Sequence, residues 1–419
     1  MAELGGKPSA VTGGLERIAS IDALRGLTIL VMIFVNDVAG VVDVPWWMEH
    51  FFPYDADGMT FVDVVFPAFL FIVGMSIPFA IGRRLDRGEA PRVVWGHVAL
   101  RTLWMLVIGV LMVNGYVCSD EGLLNREVWT ILMYLGIVLA WNTVPKEPGR
   151  ARRVLLGLRW AGIALLAFLV VVYRSKNADG VIQLRTSWWG IIGLIGWAYL
   201  VACIAYGFLR RNLAGLVGAM ALMYCLYAAD KVGTFDGLLL RGYLDFGSHI
   251  GGHGGIAIAG VILGIVVGPN SPVPSPRRRM QWAFLFGVAM VVAGWLIHRL
   301  AVVHPMFIVN KNAATPSWGL YCSAITAWIW IPLYWTMDVK GWTRWAAVIR
   351  PAGENPLFAY ILHPMLIHMF AALALVIGVN PQAKLGGSFA MGFTRAVVTA
   401  FAITWFVGFL KDRGVRLKL

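Results

Sequence analysis

Charged residues are scarce in this chain of 419 residues: they make up 14% of it, whereas 59% are hydrophobic. Soluble domains carry about 25% charged residues, so the composition argues against a soluble globular protein. Four widely spaced cysteines indicate neither a disulfide framework nor a cysteine-rich metal site. A P-loop, a GxSxG elbow and a GxGxxG motif following a strand are also lacking, so a nucleotide-binding domain or a simple hydrolase is not indicated.

The sequence consists mainly of long apolar runs. The length of each run is close to that of a membrane-spanning helix. Twelve runs occur, at about 22–42, 61–82, 97–117, 127–144, 155–173, 188–209, 213–229, 253–268, 281–303, 317–337, 355–379 and 394–410. They predict an all-α polytopic membrane protein with ten to twelve transmembrane helices. We expect a tail over residues 1–19, one transmembrane domain over 20–411 and a short basic tail over 412–419.

The net charge is +13, and the Lys and Arg residues lie in short clusters between the apolar runs. With both termini in the cytoplasm, 25 of the 35 Lys and Arg residues fall on the cytoplasmic side and 10 on the other, as the positive-inside rule requires. The pattern therefore predicts membrane orientation, not a nucleic-acid partner. We expect an integral protein of a bacterial cytoplasmic (inner) membrane with both termini cytoplasmic.

Several polar residues lie within or beside the first two runs, where ionisable groups are costly and often functional. Arg25 follows Asp22 by three residues, so a local ion pair at the cytoplasmic boundary is one interpretation. Asn36 follows Arg25 by eleven residues, about 16 Å along the same face of a helix. His50 is the single histidine of an acidic loop without Lys or Arg, and Asp63 begins the second run. A solvated histidine and a helix-N-terminal carboxylate are the simpler alternatives for these two residues.

Further polar residues follow in the second half of the chain. Asn312 lies in a polar outer loop, and His363 lies eight residues after Asn355 in the eleventh run. His249 and His253 are spaced like metal ligands, but glycines surround them and no glutamate lies between them, so no metal site is predicted.

The motifs of the first two runs, IDALRGLTILVMIFVND and GMTFVDVVFPAFLFIVGMSI, resemble the heparan-α-glucosaminide N-acetyltransferase family. FIVNKNAATPSWGLY at 307–321, DVKGW at 338–342 and GENPLFAYILHP at 353–364 extend the resemblance in order along the chain. More distantly, the chain is similar to the acyltransferase-3 family, in which a histidine occupies the position of Asn36.

The resemblance implies a membrane enzyme that uses cytosolic acetyl-CoA as co-substrate and acetylates an amino sugar on the other face of the membrane. It places the catalytic histidine at His50, as general base or as an acetylated nucleophile. Asn36 would donate to the thioester oxyanion, and Asp63 would orient His50 or hold the acceptor.

We expect Arg25, Arg83 and Arg84 to bind the CoA phosphates, since guanidinium groups suit phosphate oxygens. Asn312, His363 and Asn355 are predicted pocket residues. The expected partners are acetyl-CoA, a glycan or amino-sugar acceptor, membrane lipid and a second copy of the chain as a homodimer, with no metal. The alternatives are a multi-span transporter or flippase for a small or lipid-linked solute, which broken helices also fit, and an assembly factor without chemistry.

Overall fold

The computed structural model describes residues 18–51, 55–120, 122–175, 184–188 and 190–417. Fifteen α-helices form within these residues, which contain no extended strand. The helices are α1 Ala19–Val38, α2 Val62–Ile77, α3 Arg83–Asp86, α4 Pro91–Tyr116, α5 Arg126–Trp141, α6 Arg150–Val171, α7 Ile191–Leu209, α8 Leu213–Lys231, α9 His253–Val267, α10 Pro276–Arg299, α11 Pro316–Tyr334, α12 Arg350–Glu354, α13 Pro356–Ile377, α14 Pro381–Leu385 and α15 Phe389–Asp412. Each predicted apolar run coincides with one long helix, which confirms the all-α polytopic fold.

Ten segments of the described chain are long and apolar enough to cross a membrane, and the protein is an integral membrane protein. Helices α5 and α11 are not among the ten. Helix α5 has 16 residues, and α11 is interrupted by Pro332 and carries several buried hydroxyl groups. The number of spans therefore lies within the predicted range of ten to twelve. The predicted tail over residues 1–19 falls almost wholly outside the described residues.

The first and last long helices run antiparallel, so the two ends of the described chain lie at one end of the helical bundle. Arg25 near the start of α1 donates to the backbone oxygen of Gly353 at 3.2 Å. Lys411 near the end of α15 pairs with the adjacent Glu354. We call this the basic end, because the clusters around Arg84 and Arg278 also lie there. The end that holds Asp37 and His50 is called the opposite end.

Helix α9 lies at the centre of the bundle, with 89% of its membrane-spanning window buried. It approaches α2 closely because Gly74 faces the backbone of Ala257, while Gly260 and Gly264 face the backbone of α2. Small residues at such positions let two membrane helices pack backbone to backbone. A π-helical turn, Pro78–Gly82, directly follows α2, so the second span is irregular at Pro78.

Candidate active site

His50, Asp63 and Lys311 form a compact cluster at the opposite end of the bundle. His50 Nδ1 lies 3.2 Å from Asp63 Oδ1 and 2.8 Å from Lys311 Nζ. Lys311 Nζ lies 3.3 Å from the same Asp63 oxygen. The Asp63 side chain is fully buried, whereas His50 and Lys311 are 24% and 22% exposed. The cluster therefore combines a buried carboxylate with two ionisable groups that open toward the surface.

The other Asp63 oxygen is fixed by hydrogen bonds from the preceding loop. Its Oδ2 accepts from the backbone N–H groups of Phe51 at 3.1 Å and Thr60 at 3.0 Å. The Asp63 backbone oxygen accepts from the Trp318 indole at 3.3 Å. Asp63 thus lies in the first turn of its own helix and holds the residue next to His50, so the interpretation as a helix-N-terminal carboxylate and the orienting interpretation both describe it.

The segment that carries Lys311 is bound to the loop that carries His50. Gly58 N–H donates to the Val309 oxygen at 2.8 Å, and Val309 N–H donates to Asp57 Oδ1 at 2.8 Å. Asn312 Nδ2 donates to the Phe51 oxygen at 3.3 Å. His298, at the end of α10, lies 2.6 Å from Asp57 Oδ2. The two polar loops are therefore one structure, and Asn312 supports the His50 loop.

Asn36 lies on a different surface, at the far end of one continuous face of α1. That face carries, in order, Arg25, Ile29, Met32 and Asn36. The first three line a central cavity of about 390 Å³, and Asn36 lines a far cavity of about 280 Å³ together with His363. The two cavities share Ile191 and Tyr360 in their walls. One helix face thus follows two adjoining cavities toward the opposite end, as the eleven-residue spacing predicted.

A third cavity, the basic cavity of about 700 Å³, adjoins the central cavity. The two share Ala80, Arg101 and Tyr199 in their walls. Arg84, His97 and Arg159 also line the basic cavity, and no carboxylate is found among its described lining residues. Trp104 and Trp141 add an aromatic pair to the wall, with ring centroids 5.4 Å apart and ring planes at 76° to each other. Such a surface suits an anionic ligand that has an aromatic ring.

The predicted CoA-binding arginines are separated in the structure. Arg25 lines the central cavity, where its guanidinium donates to Asp22 at 2.9 Å and to Ser76 at 2.8 Å. Arg84 lines the basic cavity. Arg83 lines a different pocket of about 290 Å³. The local Asp22–Arg25 pair is therefore present, and it sits in the wall of a cavity.

The three predicted pocket residues also lie apart. Asn355 is at the basic end, where its side chain accepts from Leu417 N–H at 3.2 Å and donates to the Val415 oxygen at 3.4 Å. It binds the C-terminal segment, whereas Asn312 and His363 are at the opposite end. One pocket does not hold all three.

His363 belongs to a buried network that closes the outer end of α1. Its Nε2 lies 3.2 Å from Asp37 Oδ1, and Arg395 Nε donates to Asp37 Oδ2 at 2.8 Å. Gln382 Nε2 donates to Asp37 Oδ1 at 3.4 Å. The carboxylate therefore orients His363 in the wall of the far cavity.

Sequence reasoning did not single out Lys311, Arg101 or Asp37 as site residues. Arg101 lies in mid-helix in α4, and an arginine within an apolar run was the available signal. Asp37 directly follows Asn36, but its partner Arg395 is 358 residues away in the sequence. Burial lowers the pKa of the Lys311 ammonium, and the neighbouring Asp63 carboxylate opposes that change.

These features define a class: a helical integral membrane protein with arginine-lined cavities leading from its basic end toward Asn36 and His363, and with a separate histidine–carboxylate–lysine cluster at that opposite end. The chain belongs to the family described as "Domain of unknown function (DUF5009)", which it matches over residues 17–241.

Two curated relatives match most of this chain. Heparan-alpha-glucosaminide N-acetyltransferase of Homo sapiens is 27% identical over 390 residues, which are 84% of this chain and 54% of that protein. The protein of the same name in Mus musculus is 24% identical over 400 residues, which are 87% and 56% of the two chains. The matches confirm the predicted resemblance, and this chain spans about half the length of these relatives.

Proposed function

We propose that this protein is a membrane-embedded acyltransferase. It would pass an acetyl group from cytosolic acetyl-CoA to the amine or hydroxyl of a glycan-type or amino-sugar acceptor on the other side of the membrane. The observation that carries the proposal is the series of adjoining cavities, from Arg84 and Arg101 along α1 to Asn36 and His363. The names of the two relatives support acetyl transfer as the reaction.

The cavities fit the shape and charge of the donor. The basic cavity offers guanidinium groups for phosphates and tryptophan rings for an adenine, in a volume typical of ligand pockets. From Arg25 to Asn36 the α1 face extends about 16 Å. A pantetheine arm of roughly 15–20 Å would therefore bring a thioester from the central cavity to the far cavity, within a bilayer core about 30 Å thick.

The residues of the opposite end supply acid–base chemistry. His50 takes the proton from the acceptor nitrogen or oxygen as that atom attacks the thioester carbonyl carbon. Asn36 would donate a hydrogen bond to the carbonyl oxygen as negative charge develops there. This role requires the far cavity and the His50 cluster to come together, because His50, Asp63 and Lys311 do not line that cavity. The new C–N or C–O bond forms, the C–S bond breaks, and the leaving thiolate receives the proton from His50. In a two-step variant, His50 itself carries the acetyl group between donor and acceptor.

The charge distribution supports a cytoplasmic location for the basic end, and we propose a bacterial cytoplasmic membrane as the location. The opposite end, with His50, would then face outward. The acidic residues of the His50 loop, among them Glu49 and Asp55, favour a cationic or hydroxyl-rich acceptor there.

Calorimetric titration of acetyl-CoA into the protein in lipid nanodiscs tests the proposal. We expect saturable binding that Arg101→Gln weakens at least about tenfold, a loss of roughly 1.4 kcal/mol. Arg278→Gln is the matched control, because Arg278 is an exposed arginine of the basic end that lines none of the three cavities. If a folded sample binds neither acetyl-CoA, nor free CoA, nor longer acyl-CoAs, the acyltransferase proposal is rejected. Solute flux in proteoliposomes would then test the transporter alternative.

A further inference from the structure

In the cluster of His50, Asp63 and Lys311, the carboxylate and the amine compete for one nitrogen of His50. Nδ1 of His50 lies within hydrogen-bond distance of both the Asp63 carboxylate and the Lys311 amine. A carboxylate can only accept a hydrogen bond, and an ammonium can only donate one. Nδ1 therefore carries a proton when it bonds to Asp63 and lacks one when it bonds to the Lys311 ammonium.

We propose that Lys311 is a positioning residue that selects the tautomer of His50 and thereby decides when His50 can accept a proton. The inference deepens the proposed function and rests on it for its catalytic meaning. With Lys311 charged, Nδ1 accepts from Nζ and the neutral imidazole carries its proton on Nε2, where it can donate but cannot act as a base. When Lys311 loses its proton, Nδ1–H donates to Asp63 and Nε2 becomes a base.

The surroundings favour such a role for Lys311. The Asp63 carboxyl group is fixed by the Phe51 and Thr60 amides, so Oδ1 stays in place as an acceptor for either partner. Burial lowers the pKa of the Lys311 ammonium, which brings its loss of a proton closer to neutral pH. Cys322 of α11 is a further titratable group packed against this site, with Sγ 3.9 Å from the Asp63 backbone oxygen.

Asp57 and His298 form the next ionisable pair along the two loops, with His298 Nε2 2.6 Å from Asp57 Oδ2. Asp57 Oδ1 also accepts from the Val309 N–H, so this carboxyl group is fixed in the loop structure. Asp57 is therefore engaged outside the cluster.

Two substitutions of Lys311 should change the availability of His50 Nε2 as a base in opposite directions. Lys311→Met removes the donor at similar length, so Nδ1–H is held by Asp63 and Nε2 is left without a proton. Lys311→Arg keeps a donor that stays charged at every pH a protein tolerates, so His50 is held in the tautomer that cannot act as a base.

The availability of an unprotonated His50 nitrogen can be measured without any acetyl donor. The method is carbethoxylation by diethylpyrocarbonate between pH 6 and 9.5, followed by mass spectrometry. The reagent reacts with an imidazole nitrogen that lacks a proton. In the native protein we expect His50 to react slowly at neutral pH and faster on the alkaline side. Lys311→Met should move the midpoint of this pH-dependent reaction to lower pH by at least about one unit. Lys311→Arg should keep His50 slow throughout.

His304 is the internal control, because it is an exposed histidine of the neighbouring loop and its reaction should not change in either variant. If Lys311 only stabilises the loop, both variants would speed the reaction of His50 alike, and the inference would fail. An unchanged midpoint in Lys311→Met would also overturn it. The two variants could change the reaction of His50 in opposite directions in a protein that does not bind acetyl-CoA. That result would support the role of Lys311 and reject the proposed function.

Discussion

Arg395 and Asp37 join the last long helix of the bundle to the end of the first: the guanidinium Nε donates to the carboxylate at 2.8 Å. Arg395 also donates to the Asp37 backbone oxygen, so it holds both the side chain and the end of α1. The side chains of Asp37 and Arg395 are 4% and 11% exposed. Because Asn36 precedes Asp37, this buried pair sets the position of the last turn of α1, at the wall of the far cavity.

Removal of Arg395 should therefore destabilise the protein strongly. Arg395→Gln leaves a buried carboxylate with His363 and Gln382 as its remaining described partners, and breaking a buried pair costs roughly 3–5 kcal/mol. We expect a lower thermal midpoint in detergent than for Arg299→Gln, an exposed arginine at the same end. The double variant Asp37→Asn/Arg395→Gln should recover part of the loss. A double variant as unstable as the sum of the two single variants would show that the pair does not interact energetically.

The contact between α2 and α9 predicts a second stability effect. A Cβ added at Gly260 would collide with the backbone oxygen of Phe71, and the backbone cannot yield without moving the two helices apart. Gly260→Ala should therefore lower the thermal midpoint, with an overpacking cost of roughly 1–3 kcal/mol. Gly218→Ala is the control, because no atom of another residue lies within 4 Å of its added Cβ and alanine favours a helix. Equal midpoints for the two variants would contradict this packing.

The long helices were predictable from the sequence because apolar length alone identifies a span. The pairing of distant polar residues was not. His50 and Asp63 are 13 residues apart, whereas Lys311 is 261 residues from His50 and reaches it through loop packing. Helical spacing predicted that Arg25 and Asn36 share one face of α1, and the structure reproduces that face. Arg83 and Arg84 are adjacent in sequence but line different cavities, since neighbouring residues of a helix point about 100° apart.

The carboxylate of Asp63 should be required for transfer beyond its part in the fold. Asp63→Asn removes the charge that balances Lys311 and accepts from His50, so we expect acetyl transfer to a glucosamine probe to fall roughly 10²–10⁴-fold. Asp57→Asn is the matched control, since Asp57 lies in the same loop and pairs with His298. Transfer should change much less in that variant. Comparable losses in both would assign the effect to loop structure.

Glu354 provides a pH-dependent test of the basic end. Burial alone would raise the pKa of this carboxyl, but hydrogen bonds from Lys411 and Arg350 outweigh burial and hold the pKa below its ordinary value. A lowered pKa means that the folded state favours the ionised form. The stabilisation is therefore fully present above the pKa of the unfolded chain and disappears as pH falls through the lower pKa of the folded state.

The variant Glu354→Gln should accordingly have a lower thermal midpoint than the native protein at pH 7, and the two should converge as the pH falls through the lowered pKa of Glu354. Glu147→Gln, an exposed carboxyl of the same end, should track the native protein at every pH. A difference between Glu354→Gln and the native protein that persists unchanged into acid would mean that Glu354 stabilises the structure through packing and not through its charge. Because Glu354 also lines the central cavity, convergence in acid would show that a charged group in that wall is held in place by Lys411 and Arg350.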